Sequence, residues 1–233
     1  LPITYRLKSQ LMSQPRLLSE YIRALGDLFI NARGNAGIRI HGACSDSRKV
    51  NPGWLFVAIR GAKQDGRRFV TDAAQRGAVA VVGEQGTVAP DNMAVITVTD
   101  AYHAAGKLAE VAYGYPANRL RLYGVTGTNG KTTCVNLMKH VLTCSGRAAG
   151  LLSTVNYCLG NDTLPADRTT PTPFDYQYLL RRMIANGVTD CAVEVSSHAL
   201  SQGRPGNSLF QGAVFTNLSR DHCDYHGDMT NYF

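Results

Sequence analysis

The segment Gly124-Val125-Thr126-Gly127-Thr128-Asn129-Gly130-Lys131-Thr132-Thr133 concentrates the residue types that hold a nucleotide phosphate. Glycines let a turn fold its backbone N–H groups around phosphate oxygens, and a helix starting just after it adds positive potential. Lys131 is placed to reach β- and γ-phosphates, and the Thr132 hydroxyl to ligate Mg2+. The strict G-x-x-x-x-G-K-[ST] spacing asks for glycine where Val125 stands. This is therefore a variant loop, built on Gly124, Gly127 and Gly130. The plain alternative is a glycine-rich turn ahead of an ordinary helix.

Phosphate chemistry needs a second metal-binding group, usually an acid at the end of a neighbouring strand. Glu194 ends the apolar run Cys191-Ala192-Val193, and Ser196-Ser197-His198 follows it. A second run, Val214-Phe215-Thr216-Asn217, leads into Ser219, Arg220, Asp221 and His222. Both runs would deliver metal-competent side chains to one edge of a sheet. His222 reads either as a ligand or as a hydrogen-bonded structural histidine. Ser196 and His198 invite a serine-hydrolase reading, but no G-x-S-x-G elbow surrounds Ser196.

The elements that must position these groups read as α/β. Residues 14–32 carry Leu17, Leu18, Tyr21, Ile22, Leu25, Leu28 and Phe29 at helical spacing. Asp46 to Gly53 is turn chemistry, and strands are expected over 55–59, 78–82 and 94–98. A helix is expected over 69–76, with a polar loop at 61–66. Asp100 can cap a helix from Ala101 to about Tyr113. Beyond it come a strand at 120–125, a helix from Lys131, a helix over 174–185 and strands at 190–195 and 213–217. Strands alternating with helices argue for a doubly wound parallel sheet with its site at the carboxyl ends of the strands. The boundary is expected near Val98-Thr99, giving a small α/β unit over 1–98 and a P-loop-type parallel-sheet unit over 99–233.

The chain has 233 residues, 44% of them hydrophobic and 18% charged, which excludes a disordered chain or a coiled coil. Lys and Arg number 24 against 17 Asp and Glu, a formal charge of +7 that suggests an anionic partner. None of the six cysteines is spaced as C-x-x-C, so a zinc knuckle is not expected and the reading is a reduced, cytoplasmic protein. Cys134, Cys158 and Cys191 sit among apolar neighbours, as buried cysteines do. No apolar run approaches a membrane span, and the start at Leu1 lacks both Met and a signal-peptide core.

Several segments together resemble one family, the Mur ligases. Thr126 to Thr133 is similar to its ATP loop. Glu194-Val195-Ser196-Ser197-His198-Ala199-Leu200, with Gln202 and Arg204, resembles the branch that adds the third amino acid of the peptidoglycan stem. Thr216 to Asp228 resembles that branch too. Asp46-Ser47-Arg48, Pro52 to Ala58 and Asp65-Gly66 look like its UDP-binding first domain.

The resemblance implies a sequence of two steps. ATP phosphorylates the terminal carboxylate of a UDP-muramoyl-dipeptide, and the amine of a diamino acid attacks the acyl phosphate. Gly127, Thr128, Asn129, Gly130, Lys131, Thr132 and Thr133 would bind ATP. Lys131, Glu194 and His222 would be the catalytic set, and Thr132, Glu194 and His222 the Mg2+ ligands. Thr169, Thr170, Ser196, Gln202 and Arg204 would hold the UDP-muramoyl-peptide, with Ser47 at its uracil nucleotide. Asp46 and Arg48 would only pin their turn. Ala62-Lys63-Gln64 stands where many relatives carry a His-Gln pair. The family's next feature, a carbamylated lysine for a second Mg2+, would follow Phe233, and then a C-terminal domain. The chain is accordingly expected to be an N-terminal part that does not turn over alone. The added diamino acid, meso-diaminopimelate or lysine, and the oligomeric state stay open.

Other readings compete with this one. They are another Mur-family or folylpolyglutamate-synthase-like ligase, a phosphotransferase or NTPase, and a nucleotide-sugar-binding module without chemistry. Nucleic-acid binding is disfavoured because the basic residues are scattered and no RNP motif or zinc finger is present.

Overall fold

In this computed structural model the described residues are 11–61 and 64–233, so Ala62 and Lys63 lie outside them. The chain divides into two compact units. One holds residues up to Tyr115 with Pro173–Tyr178 and Gly203–Asn207, and the other holds the remainder.

The first unit contains α1 (Leu18–Leu25), β1 (Phe29–Arg33), β2 (Gly42–Cys44), β3 (Trp54–Ala58), α2 (Val70–Gln75), β4 (Ala80–Gly83), β5 (Ala94–Val98) and α3 (Ala101–Tyr113). Its sheet runs β1-β5-β4-β3-β2, with β2 to β5 parallel and β1 antiparallel at the edge. Strands β3 and β4 are buried along their whole length. A strand covered on both faces has no polar side to show, which is why these read as unbroken apolar runs.

The helical spacing over 14–32 corresponds to helix only from Leu18 to Leu25, followed by a 3-10 turn at Gly26–Leu28. Gly26 takes φ +56 and leaves the helix, and residues from Phe29 onward pair antiparallel with β5 instead. Tertiary pairing overrides local periodicity there.

Asp100 caps α3 as expected, accepting from the His103 N–H at 2.9 Å, and Gly114 ends it in left-handed backbone. Ala101, Ala104, Ala105, Leu108 and Ala112 are buried, and α3 packs on β2, β3 and β4. The contact division therefore falls after this helix, at Tyr115, rather than before it near Val98-Thr99.

The second unit contains β6 (Arg121–Thr126), α4 (Lys131–Cys144), β7 (Ala149–Leu152), β8 (Asn156–Leu159), β9 (Asp162–Pro165), part of α5 (Pro173–Ala185), β10 (Asp190–Glu194), α6 (Ser197–Ser201), β11 (Phe210–Phe215), α7 (Cys223–His226) and α8 (Met229–Tyr232). The sheet order is β9-β8-β7-β10-β6-β11. Strands β7, β10, β6 and β11 are parallel, and β8 and β9 add an antiparallel meander. That meander has no strong sequence signal, because its strands are four residues long and β9 faces solvent. Val125, Val135, Leu151, Cys158 and Ala192 form a core, with Cys134 and Met138 packed on it, so α4 lies on the sheet through its first turns. All six cysteines are free thiols. No helix among the described residues is long and apolar enough to cross a membrane.

Candidate functional site: a phosphate loop backed by a buried carboxylate

Strand β6 is the centre of the site because it pairs in parallel with β10 on one side and β11 on the other. Val125 lies opposite Glu194, and Thr126 opposite Phe215. The carboxyl ends of three strands thus meet at the loop 127–130, where parallel α/β sheets place ligands.

The loop's shape is set by its glycines and by the segment after β11. Gly127 has φ +124, and a Cβ there would collide with Thr216 Oγ1 and stand 2.8 Å from the Asn217 carbonyl oxygen. Gly130 takes φ +83 with open space around it and opens α4. Thr128 N–H donates to Asn217 O at 2.9 Å, and Asn129 N–H to Asn217 Oδ1 at 3.1 Å. Thr216 Oγ1 donates to Asn129 O at 2.7 Å. Buried Thr128 exchanges hydrogen bonds with Ser219 and meets Tyr232 Oη at 3.0 Å. Lys131 folds back over the loop, its Nζ donating to the carbonyls of Gly127 and Thr128 at 2.8 Å each. Thr133 follows Thr132 in the first turn of α4.

Behind the loop, Thr132 Oγ1 lies 3.0 Å from both carboxylate oxygens of Glu194, which is 2% exposed. Thr154 N–H donates to Glu194 Oε2 at 3.0 Å. These are neutral donors on a buried carboxylate. A hydroxyl and a carboxylate oxygen side by side are the hard donors that Mg2+ takes. His222 is placed differently. It holds φ +51, and its ring packs edge-on against His198 with centroids 4.9 Å apart and against Tyr232 at 6.0 Å. Among the described residues no group of three or more His, Cys, Asp and Glu is arranged to hold a metal ion. The structure thus joins Thr132 to Glu194 and sets His222 in an aromatic cluster with His198, Tyr232, Tyr225 and His226.

The residues expected at the peptide substrate take several places. Thr170 is fully buried. Its hydroxyl donates to Glu194 O at 2.9 Å and accepts from Ser196 N–H at 3.0 Å, which ties two backbones together. Thr169 Oγ1 lies 3.1 Å from Thr154 Oγ1. Ser196 caps α6, its hydroxyl accepting from Ala199 N–H. Gln202 donates to Tyr225 Oη at 3.1 Å. Arg204 lies in the 203–207 turn of the first unit.

In that first unit, Ser45, Asp46, Ser47, Arg48, Gln64, Phe69, Asp72 and Arg76 line a separate cavity of ≈ 740 Å³. Ser47 is buried and hydrogen-bonds Asp72. That bond, with help from Arg76 and against the cost of desolvation, holds the Asp72 carboxyl below its usual range. Asp46 pins the turn, accepting from Arg48 N–H and binding the Arg48 guanidinium at 2.9 Å through both oxygens.

Sequence reasoning missed two sets of contacts. The Thr154 N–H on Glu194 has no sequence signal, because any residue there offers an N–H. The clamp made by Thr216, Asn217 and Ser219 was signalled only as a strand ending in polar residues.

The family profile described as "Mur ligase middle domain" matches residues 125–233, and that described as "Mur ligase family, catalytic domain" matches residues 39–113. The UDP-N-acetylmuramoyl-L-alanyl-D-glutamate--2,6-diaminopimelate ligase of Geobacter sulfurreducens is 44% identical over 204 residues, 88% of this chain and 40% of that protein. The ligase of the same name from Chlorobaculum tepidum is 43% identical over 218 residues, 92% of this chain and 43% of that protein. A solved structure of a UDP-N-acetylmuramoyl-L-alanyl-D-glutamate--2,6-diaminopimelate ligase matches with a TM-score of 0.76 at 28% identity, over 94% of this chain and 43% of that one. MurF from Acinetobacter baumannii shares the fold, with a TM-score of 0.57 at 16% identity over 94% of this chain and 44% of that one. The chain spans about two fifths of the length of these curated relatives. The two family matches together span more than three quarters of it, and the chain belongs to the Mur ligase family.

Proposed function

We propose that the chain carries the UDP-substrate and ATP-binding parts of an ATP-dependent amide ligase. The ligase joins a diamino acid to UDP-N-acetylmuramoyl-L-alanyl-D-glutamate in peptidoglycan synthesis. The names of the relatives favour 2,6-diaminopimelate as that amino acid. The observation that carries the reading is the contact of Thr132 with the buried Glu194, behind a glycine loop whose lysine ammonium is held on loop carbonyls.

The dipeptide's terminal carboxylate attacks the γ-phosphorus of ATP and forms an acyl phosphate, with ADP as the leaving group. The diamino acid's amine then attacks the acyl carbon, the C–O bond to phosphate breaks, and amide, phosphate and a proton are released. Two polyanions must approach each other in the first step, so positive charge near the transferred group lowers the barrier. Lys131 supplies one charge, because phosphate oxygens are stronger acceptors than the carbonyls it now engages. Mg2+, when bound, supplies further charge neutralisation and orientation of the phosphate oxygens. Thr132 and Glu194 would hold it, with His222 as a third group if its ring leaves the aromatic cluster.

Ser47 is assigned to the UDP end in the first unit's cavity. Thr169, Ser196, Gln202 and Arg204 are assigned to the muramoyl-peptide, with Arg204 pairing to a carboxylate or phosphate. Thr170 serves that site from behind, by fixing the Ser196 backbone. A cytoplasmic location fits six free thiols.

Titration calorimetry on the chain tests this with ATP in the presence and absence of Mg2+, the UDP-muramoyl-dipeptide, and an oligonucleotide. Mg2+-dependent ATP binding together with dipeptide binding is expected. Binding of the oligonucleotide alone would overturn the reading. Dipeptide binding without ATP binding would leave a nucleotide-sugar module.

A further inference from the structure

The turn that bears Arg204 rests on helix α3, and glycines make that contact possible. His103, Gly106 and Glu110 stand at i, i+3 and i+7 and so line one face of α3. A Cβ at Gly106 would run into the Gly203 carbonyl oxygen. Gly203 and Gly206 both hold left-handed backbone, with φ +56 and +65. A Cβ on Gly203 would come within 2.6 Å of His103 Cδ2, and one on Gly206 within 2.7 Å of Glu110 Oε1. The turn therefore lies against the helix with no room for side chains at these points.

Glu110 is 5% exposed, and its Oε1 accepts from Asn207 N–H at 2.7 Å. A buried carboxylate destabilises a fold relative to a well-packed apolar side chain. Here it meets a backbone donor that no apolar residue could satisfy.

We propose that Glu110 is a positioning residue for Arg204. By accepting from Asn207 N–H it fixes the 203–207 turn on α3, and with it the point from which Arg204 reaches the anionic substrate. This rests on the assignment of Arg204 to substrate given above.

The test measures calorimetric Kd for the UDP-muramoyl-dipeptide, and amide hydrogen exchange at Asn207, on the whole chain. The variants are Glu110→Ala, Glu110→Gln, Gly206→Ala, Arg204→Ala and the Glu110→Ala/Arg204→Ala double. Glu110→Ala is expected to speed exchange at Asn207 and weaken binding about tenfold, as misplacement of a binding group does. Glu110→Gln keeps an accepting oxygen and stays within about twofold of wild type. Gly206→Ala displaces the turn from its other side and repeats the loss, so the test survives if Glu110→Ala fails to fold. In the Arg204→Ala background, Glu110→Ala adds no further loss.

Fast exchange at Asn207 with unchanged affinity overturns the positioning role. So does a full additive loss in the double variant. Wild-type binding by Arg204→Ala overturns the substrate assignment itself, whereas a loss there beside none in Glu110→Ala condemns only the positioning role.

Discussion

Strand β10 carries a buried carboxylate at each end, and the two are kept in opposite ways. Asp190 is 0% exposed and sits among cations. Arg121 binds both its oxygens at 2.8 and 2.6 Å, Arg147 donates at 2.8 Å and Thr189 at 2.7 Å. The Arg121 hydrogen bonds, helped by Thr189 and Arg147 and opposed by desolvation, hold the Asp190 carboxyl far below the usual range. Glu194, at the other end of the same strand, receives only a hydroxyl and a backbone N–H among the described residues. Burial is nearly equal, so the counter-charge makes the difference. A carboxylate with two guanidiniums is a staple between strands. One with neutral donors keeps its charge uncompensated, which suits the Mg2+ role proposed above.

The largest expected effect is at Glu194. Glu194→Gln should lower Mg2+-dependent ATP affinity at least about 100-fold, or about 2.7 kcal/mol, with little change in the urea midpoint. Unchanged affinity in calorimetry would erase the contrast.

Asp190→Asn should do the reverse. It should cost about 2 kcal/mol of stability in urea unfolding, since charged hydrogen bonds are lost but both half-exposed arginines can rehydrate. ATP affinity should stay within about twofold. The pH dependence sharpens this. The folded pKa is depressed, so the contribution of Asp190 is present above its unfolded pKa and lost as pH falls through the acid range. Asp190→Asn should flatten that acid limb.

Thr170→Val removes the hydroxyl that joins Glu194 O to Ser196 N–H. About 1 kcal/mol of stability should go, with a measurable weakening of dipeptide binding.

Glu110 is a third buried carboxylate, and its effect on stability is confined to a pH window. Burial, only partly offset by the Asn207 N–H and by Lys107, raises its pKa to about 7 from 4.5. The folded state then holds a proton that the unfolded state releases, so stability should fall as pH rises from about 4.5 to about 7. Thermal melts of Glu110→Gln across that window should lack the decline.

Much of this contrast is legible in the sequence. The glycines, Lys131 and Thr132 are consecutive, so their chemistry and their strand–loop–helix context lie in one local stretch. Glu194 was legible because it ends an apolar run with polar residues after it. The helical spacing over 14–32 overstates the helix, since spacing cannot show that Gly26 leaves it and Phe29 pairs with β5. Thr170 read as a substrate contact, and its full burial under two backbones has no local mark.

The α/β class, the glycine-rich strand–loop–helix, the acid expected behind it and the family resemblance are all readable from the chain. Each depends on residue type and short-range spacing, which the chain states directly. Which groups touch is set by how distant segments fold onto one another. Thr132 and Glu194 are 62 residues apart, Glu110 and Asn207 are 97, and Arg121 and Asp190 are 69. The meeting at Glu110 follows from a turn packed on a helix, and the other two from strand order and register, which set neighbours by hydrogen bonding between segments rather than by distance along the chain.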